Sequence, residues 1–160
     1  MKTTKLEALF WSIAFPGFGQ LLNGHIIKGI TFIILELLIN VYSNFNTAIM
    51  LSFNGNISGA IKTLNFQWIM FYPCIYMFAM YDAYKFGSGK YSELSFLPFV
   101  FAAYFVTVGV MFSTTVNIFK IFPGPIFLPM IALIPGISIG FLVRAIILSF
   151  RTKHKKNTQS

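Results

Sequence analysis

The sequence predicts an all-α, polytopic integral membrane protein, and three observations carry that expectation. Apolar residues make up 56% of the chain and charged residues only 10%, whereas a soluble domain carries about 25% charged residues. Mean hydropathy is +0.73. The apolar residues gather into four long runs separated by short breaks rich in Gly, Asn and Ser, the pattern of about four spanning helices. A net charge of +8 would suggest nucleic acid in a soluble protein. Here most Lys and Arg flank apolar runs, where they fix orientation, so no nucleic-acid partner is expected.

The elements follow in order. Residues 1–19 have the outline of a signal peptide, but Glu7 interrupts the apolar region and Ser12-Ile13-Ala14 before Phe15-Pro16 is a poor cleavage site, so the segment is expected to be retained. As a helix, residues 6–18 would cover about 20 Å, short of the roughly 30 Å hydrocarbon core. The segment is therefore expected to re-enter or to lie at the interface. Residues 27–42 form the first span. Residues 43–65 are more polar, yet Ile57, Ile61 and Leu64 recur at helical spacing, which predicts one or two short interfacial helices. Residues 66–84 form a second span, with a kink at Pro73. The third span is 96–112, and a turn at 117–124 leads to the fourth, 126–150, bent at Pro129 and Pro135. One membrane domain results: a helix–loop–helix unit at 1–44, an outer interfacial region at 45–65, three more spans at 66–150 and a basic tail at 151–160.

The stretch at 15–29, FPGFGQLLNGHIIKG, is a forced helix break. Pro16 lacks a backbone N–H and Asn23-Gly24 is a tight-turn pair, while Gly17, Gly19 and Gly24 admit backbone conformations closed to other residues. Gly19 and Gly24 are the positions expected to take positive φ. Helix restarts at 26–29 with Lys28 at its mouth. Non-helical backbone at membrane depth survives only inside protein or facing water, so the break belongs at the interface or in a re-entrant turn.

Pro16-Gly17-x-Gly19-Gln20, Asn23-Gly24 and Lys28-Gly29 ahead of an apolar helix resemble small bacterial membrane proteins related to the TM2 domain family, over about residues 5–38. The resemblance implies a short first helix, a Gly-rich turn and a second, spanning helix. It implies no shared biochemical activity.

No catalytic residue, cofactor-binding residue or metal ligand emerges, and an enzyme is not expected. Cys74 is the only cysteine, and His25 and His154 have no ligand at metal spacing. Gly87-Ser88-Gly89-Lys90 lacks the leading Gly and trailing Ser or Thr of a phosphate-binding loop, and Asp82 has no second Asp for paired-carboxylate chemistry. Gly136-x-x-x-Gly140 permits close helix approach, within the chain or in a homo-oligomer. Glu36 lies about 12 Å along its helix from Lys28, and Arg144 about 10 Å before Arg151, which predicts an intramembrane ion pair at similar depth. Arg151, Lys153, Lys155 and Lys156 in the tail could hold anionic lipid. Ile13-Ala14-Phe15-Pro16-Gly17 echoes 131–136 only briefly, so no internal duplication is inferred.

Lys2, Lys5, Lys28, Lys85, Lys90, Arg151, Lys153, Lys155 and Lys156 fall on one side of a four-span arrangement and Lys62 and Lys120 on the other, which puts both termini in the cytoplasm. The functional expectation is a small, non-enzymatic interaction or assembly partner of another membrane protein. The alternative is a subunit of a transporter or a small permease, which would need polar groups converging at mid-membrane.

Overall fold

The computed structural model describes residues 3–90 and 92–157, with side chains placed up to residue 153. Lys2 and the side chains of His154, Lys155 and Lys156 lie outside the described residues. The fold is all-helical, and two isolated backbone bridges are the sole β-type pairings among the described residues. In chain order the helices are α1 (Lys5–Ala14), α2 (Phe18–Leu22), α3 (Ile26–Ser43), α4 (Phe45–Phe53), α5 (Ile57–Thr63), α6 (Phe66–Ile69), α7 (Tyr72–Phe86), α8 (Leu97–Phe112) and α9 (Gly124–Asn157). Two of them, α3 and α9, are long and apolar enough to cross a membrane.

Helix α7 is the axis of the packing. Helix α3 runs antiparallel to it, since Lys28 meets Asp82, Phe32 meets Phe78 and Glu36 meets Tyr72. Helix α1 is antiparallel too: Lys5 N donates to Ser88 O near the end of α7, and the Tyr76 hydroxyl donates to Ile13 O further back. Thr4 caps α1, its hydroxyl accepting from Glu7 N at 3.2 Å. The chain reverses at Phe15–Gly17 and returns through α2, so that Thr3 Oγ1 donates to Leu22 O at 2.9 Å. A short hairpin thus enters and leaves the bundle at one end.

At the other end, Asn44 takes a left-handed conformation (φ 57°) and turns the chain from α3 into α4. Asn65 N donates to Ser43 O at 2.9 Å, closing the α4–α5 excursion at its base. A core of Ala48, Ala60, Leu64, Ile69, Val110 and Ile126 seals this end. Helices α8 and α9 lie antiparallel, joined by a tight turn with Phe119 and Lys120 at positive φ. Glycine allows their backbones to touch: a Cβ on Gly136 would lie 2.9 Å from Ala102 Cα, and one on Gly140 would lie 2.4 Å from Pro98 Cα. The Gly136-x-x-x-Gly140 face is therefore covered by α8 of the same chain.

Two segments depart from the sequence reading. The helix expected over 66–84 breaks at Met70–Phe71 into α6 and α7, and Pro73 lies in the first turn of α7. There its missing N–H costs no hydrogen bond, so it starts a helix where a kink was anticipated. The tail does not leave the fourth apolar run at Arg151; α9 stays helical to Asn157.

Replacing Gly140 by Leu should destabilise the protein by about 1–3 kcal/mol through overpacking against Pro98. Ser138→Leu, on the exposed side of α9, should change stability by less than about 0.5 kcal/mol. Thermal unfolding in detergent compares the two. Equal stability with altered oligomeric state would instead place Gly140 at an interface between chains.

Candidate functional site

The glycine loop builds a polar node against α7. Pro16-Gly17 ends the α1 excursion, and Gly17 takes φ +107°, with its position for a Cβ 2.5 Å from Gly29 O. The turn therefore rests directly on α3. Gly19 is needed for a different reason than the one anticipated. It sits inside α2, and a Cβ there would lie 2.2 Å from Ala8 O and 2.7 Å from Ala83 Cβ. Close three-helix contact replaces positive φ as its constraint, whereas Gly24 has φ +81° and open space around it.

This close approach drives Gln20 fully out of solvent. Its side-chain amide donates to Ala79 O at 2.7 Å and to Asp82 Oδ2 at 3.3 Å. The other carboxylate oxygen, Oδ1, accepts from Lys28 Nζ at 2.7 Å. Asn23 Nδ2 donates to Ala83 O at 2.8 Å, one helical turn along. Lys28 also lies 4.1 Å from the centroid of the Phe86 ring, against which His25 packs edge-on. Burying a charge costs several kcal/mol unless it is paired and hydrogen-bonded. Asp82 meets both conditions, with its two oxygens engaged by different helices. The loop motif thus acts as a helix clamp.

The sequence reading weighed Asp82 for paired-carboxylate chemistry and missed its pairing with Lys28 and Gln20. The available signal was a lone acid in an aromatic run, with a lone base at the mouth of the preceding long helix.

Glu36 and Arg144 are not brought together. Glu36 Oε1 accepts from the Tyr72 hydroxyl at 3.2 Å, at the start of α7. Arg144 donates to Glu93 O at 2.9 Å and to Ser92 Oγ at 2.8 Å, beyond the end of α7. The length of α7 separates the two groups, about 21 Å at helical rise. The depth of Arg144 was misjudged because α9 continues past Arg151, so Arg151 does not mark the end of the helix. Arg151 instead meets Glu93 at 3.6 Å, and together the two arginines tie the α7–α8 loop to α9.

In a double-mutant cycle, Lys28→Met and Asp82→Asn should each destabilise the protein by about 1–3 kcal/mol, a range held below that of a fully buried pair because Lys28 is partly exposed. The double variant should lose less than the sum by about 0.5–3 kcal/mol. Unfolding in detergent or bicelles measures the coupling, and strict additivity would show that the node does not act as a unit.

No protein-family model, curated protein or solved structure matches the chain.

Proposed function

We propose that the chain is a multi-pass cell-membrane protein in which α3, α7, α8 and α9 cross the bilayer, α1 and α2 form a re-entrant hairpin, and both termini face the cytoplasm. Its role is that of a non-enzymatic interaction or assembly partner, built on a glycine-loop unit akin to the TM2 domain family. The observation that carries this reading is the use of the interior polar groups. Lys28, Asp82, Asn23 and the side-chain N–H groups of Gln20 are spent on one another and on backbone carbonyls at helix contacts, and do not converge on a path for a solute. That distribution suits a rigid scaffold.

Charge supports the orientation. Lys5, Lys28, Lys85, Lys90, Arg144, Arg151 and Lys153 lie at the hairpin end of the bundle, and Lys62 and Lys120 at the other. Helices α7 and α8 reach about 22–24 Å, and local thinning of the bilayer or tilted neighbours can absorb the shortfall. Arg151 and Lys153 suit anionic headgroups on the cytoplasmic face. A small permease is the second reading, favoured by one interior acid, Glu36, that has no basic partner among the described residues.

In a Cys74→Ser background, cysteines introduced at Ser58 and Lys90 should react with a membrane-impermeant maleimide from opposite sides. Labelling from one side would break the four-span arrangement. For the role itself, a photo-crosslinking residue at Ile34 or Leu37, exposed on α3, should give one discrete, saturable adduct in native membranes. Absence of any adduct, together with solute flux in proteoliposomes of the purified protein, would replace the interaction role by transport.

A further inference from the structure

Glu36 is an interior acid that the helix frame does not use. It is nearly buried, at 6% exposure, and no Lys, Arg or His among the described residues pairs with it. Among the described residues, its hydrogen bond comes from Tyr72. Tyr72 in turn forms part of the wall of a cleft of about 360 Å³ between α4, α7, α8 and α9, within the roughly 300–1,000 Å³ range of small-molecule sites.

The wall of the cleft is aromatic where it approaches Glu36. The Phe45 and Tyr72 rings lie 4.7 Å apart, and Tyr72 and Tyr76 lie 5.3 Å apart. The Tyr76 hydroxyl is already committed to Ile13 O, which leaves its ring face as its contribution. Aromatic faces carry partial negative charge and attract cations, most strongly where water is excluded. The Glu36 carboxyl is held behind this wall by the Tyr72 hydroxyl, and a cation seated against the rings would stabilise its ionised form. The rest of the lining, including Met130 and Leu133, is apolar. A larger cleft of about 860 Å³ between α3, α7 and α8 has no charged group in its wall among the described residues, so it offers no such preference.

We propose that the cleft between α4, α7, α8 and α9 is a binding site for a lipophilic organic cation, with Phe45, Tyr72 and Tyr76 as its aromatic wall and Glu36 as the counter-charge. The chemical class follows from the two halves of the site: apolar surface to accept the body of the ligand, and an acid with no basic partner among the described residues, which a cation would stabilise in its ionised form, to select its sign. The proposal goes beyond the interaction role and stands independently of it.

The test is equilibrium binding of tetraphenylphosphonium to the full-length protein in nanodiscs of zwitterionic lipid. Binding should saturate at one per chain, and Glu36→Gln should weaken it by at least roughly tenfold. Tetraphenylborate, of similar shape and opposite charge, should bind more weakly and be insensitive to that change. Met130→Trp, which fills the open side of the cleft and leaves Glu36 intact, should weaken phosphonium binding as well. Phosphonium affinity unchanged in Glu36→Gln, equal in Met130→Trp, or matched by the borate would overturn the proposal. Should Glu36→Gln fail to fold, the unaltered protein still decides. Tetraphenylphosphonium should slow modification of Glu36 by dicyclohexylcarbodiimide, read by mass spectrometry, and an unchanged rate would sink the site.

Discussion

Neutralisation of Asp82 is the constraint from which the arrangement of the first half of the chain follows. An isolated carboxylate in an apolar interior is untenable, so Lys28 and Gln20 must both arrive at α7. They come from two different helices, α3 and α2. Bringing both within hydrogen-bond reach of one side chain forces three helices to closer approach than ordinary side chains allow. This is why Gly17, Gly19 and Gly29 occupy the crossing points, each facing a backbone or side-chain atom within 2.5 Å of where a Cβ would stand. The polar node and the glycines are thus two aspects of one requirement, and neither would be stable without the other.

The same requirement explains why the N-terminal segment can stop short. A ten-residue helix such as α1 covers about 15 Å and cannot satisfy its own C-terminal carbonyls. Here Phe15 N donates to Trp11 O and the Tyr76 hydroxyl donates to Ile13 O, so the reversal is paired from within and from α7. At its start, Ser88 N donates to Thr3 O at 2.9 Å. A Cβ on Gly87 would lie 2.7 Å from Lys5 Cα, so the end of α7 and the beginning of α1 are fastened as tightly as the loop itself.

Much of this was legible in the sequence wherever backbone chemistry decides the outcome. Pro16-Gly17 and Asn23-Gly24 mark real reversals because few residues tolerate those conformations, and α3 emerges from a long apolar run after the second of them. Where side-chain partners decide, the sequence was a weaker guide. Between Phe66 and Tyr84 the aromatic run reads as continuous, yet Asn65 caps a new short helix through Gln67 N and the chain restarts at Tyr72. Glu36 was matched to Arg144 on an assumed depth, although a tyrosine hydroxyl suffices to hold a carboxyl and several were within plausible reach. Hydrogen-bond donors of this kind are too numerous in an aromatic-rich chain for spacing alone to choose among them.

The two interior acids therefore divide the protein's chemistry. Asp82 has a base and an amide on its two oxygens, and its charge is consumed in holding α2, α3 and α7 together. Glu36, two helical turns further along α3 from Lys28, has among the described residues a neutral hydroxyl alone. A neutral donor can orient a carboxyl but supplies no opposite charge, so Glu36 contributes little to the frame relative to what its burial costs. A scaffold assembled purely for packing would be better served by an apolar side chain at that position. An acid there, held by the Tyr72 hydroxyl behind the cleft that Tyr72 helps to line, makes physical sense if a cation from outside the protein completes the pair.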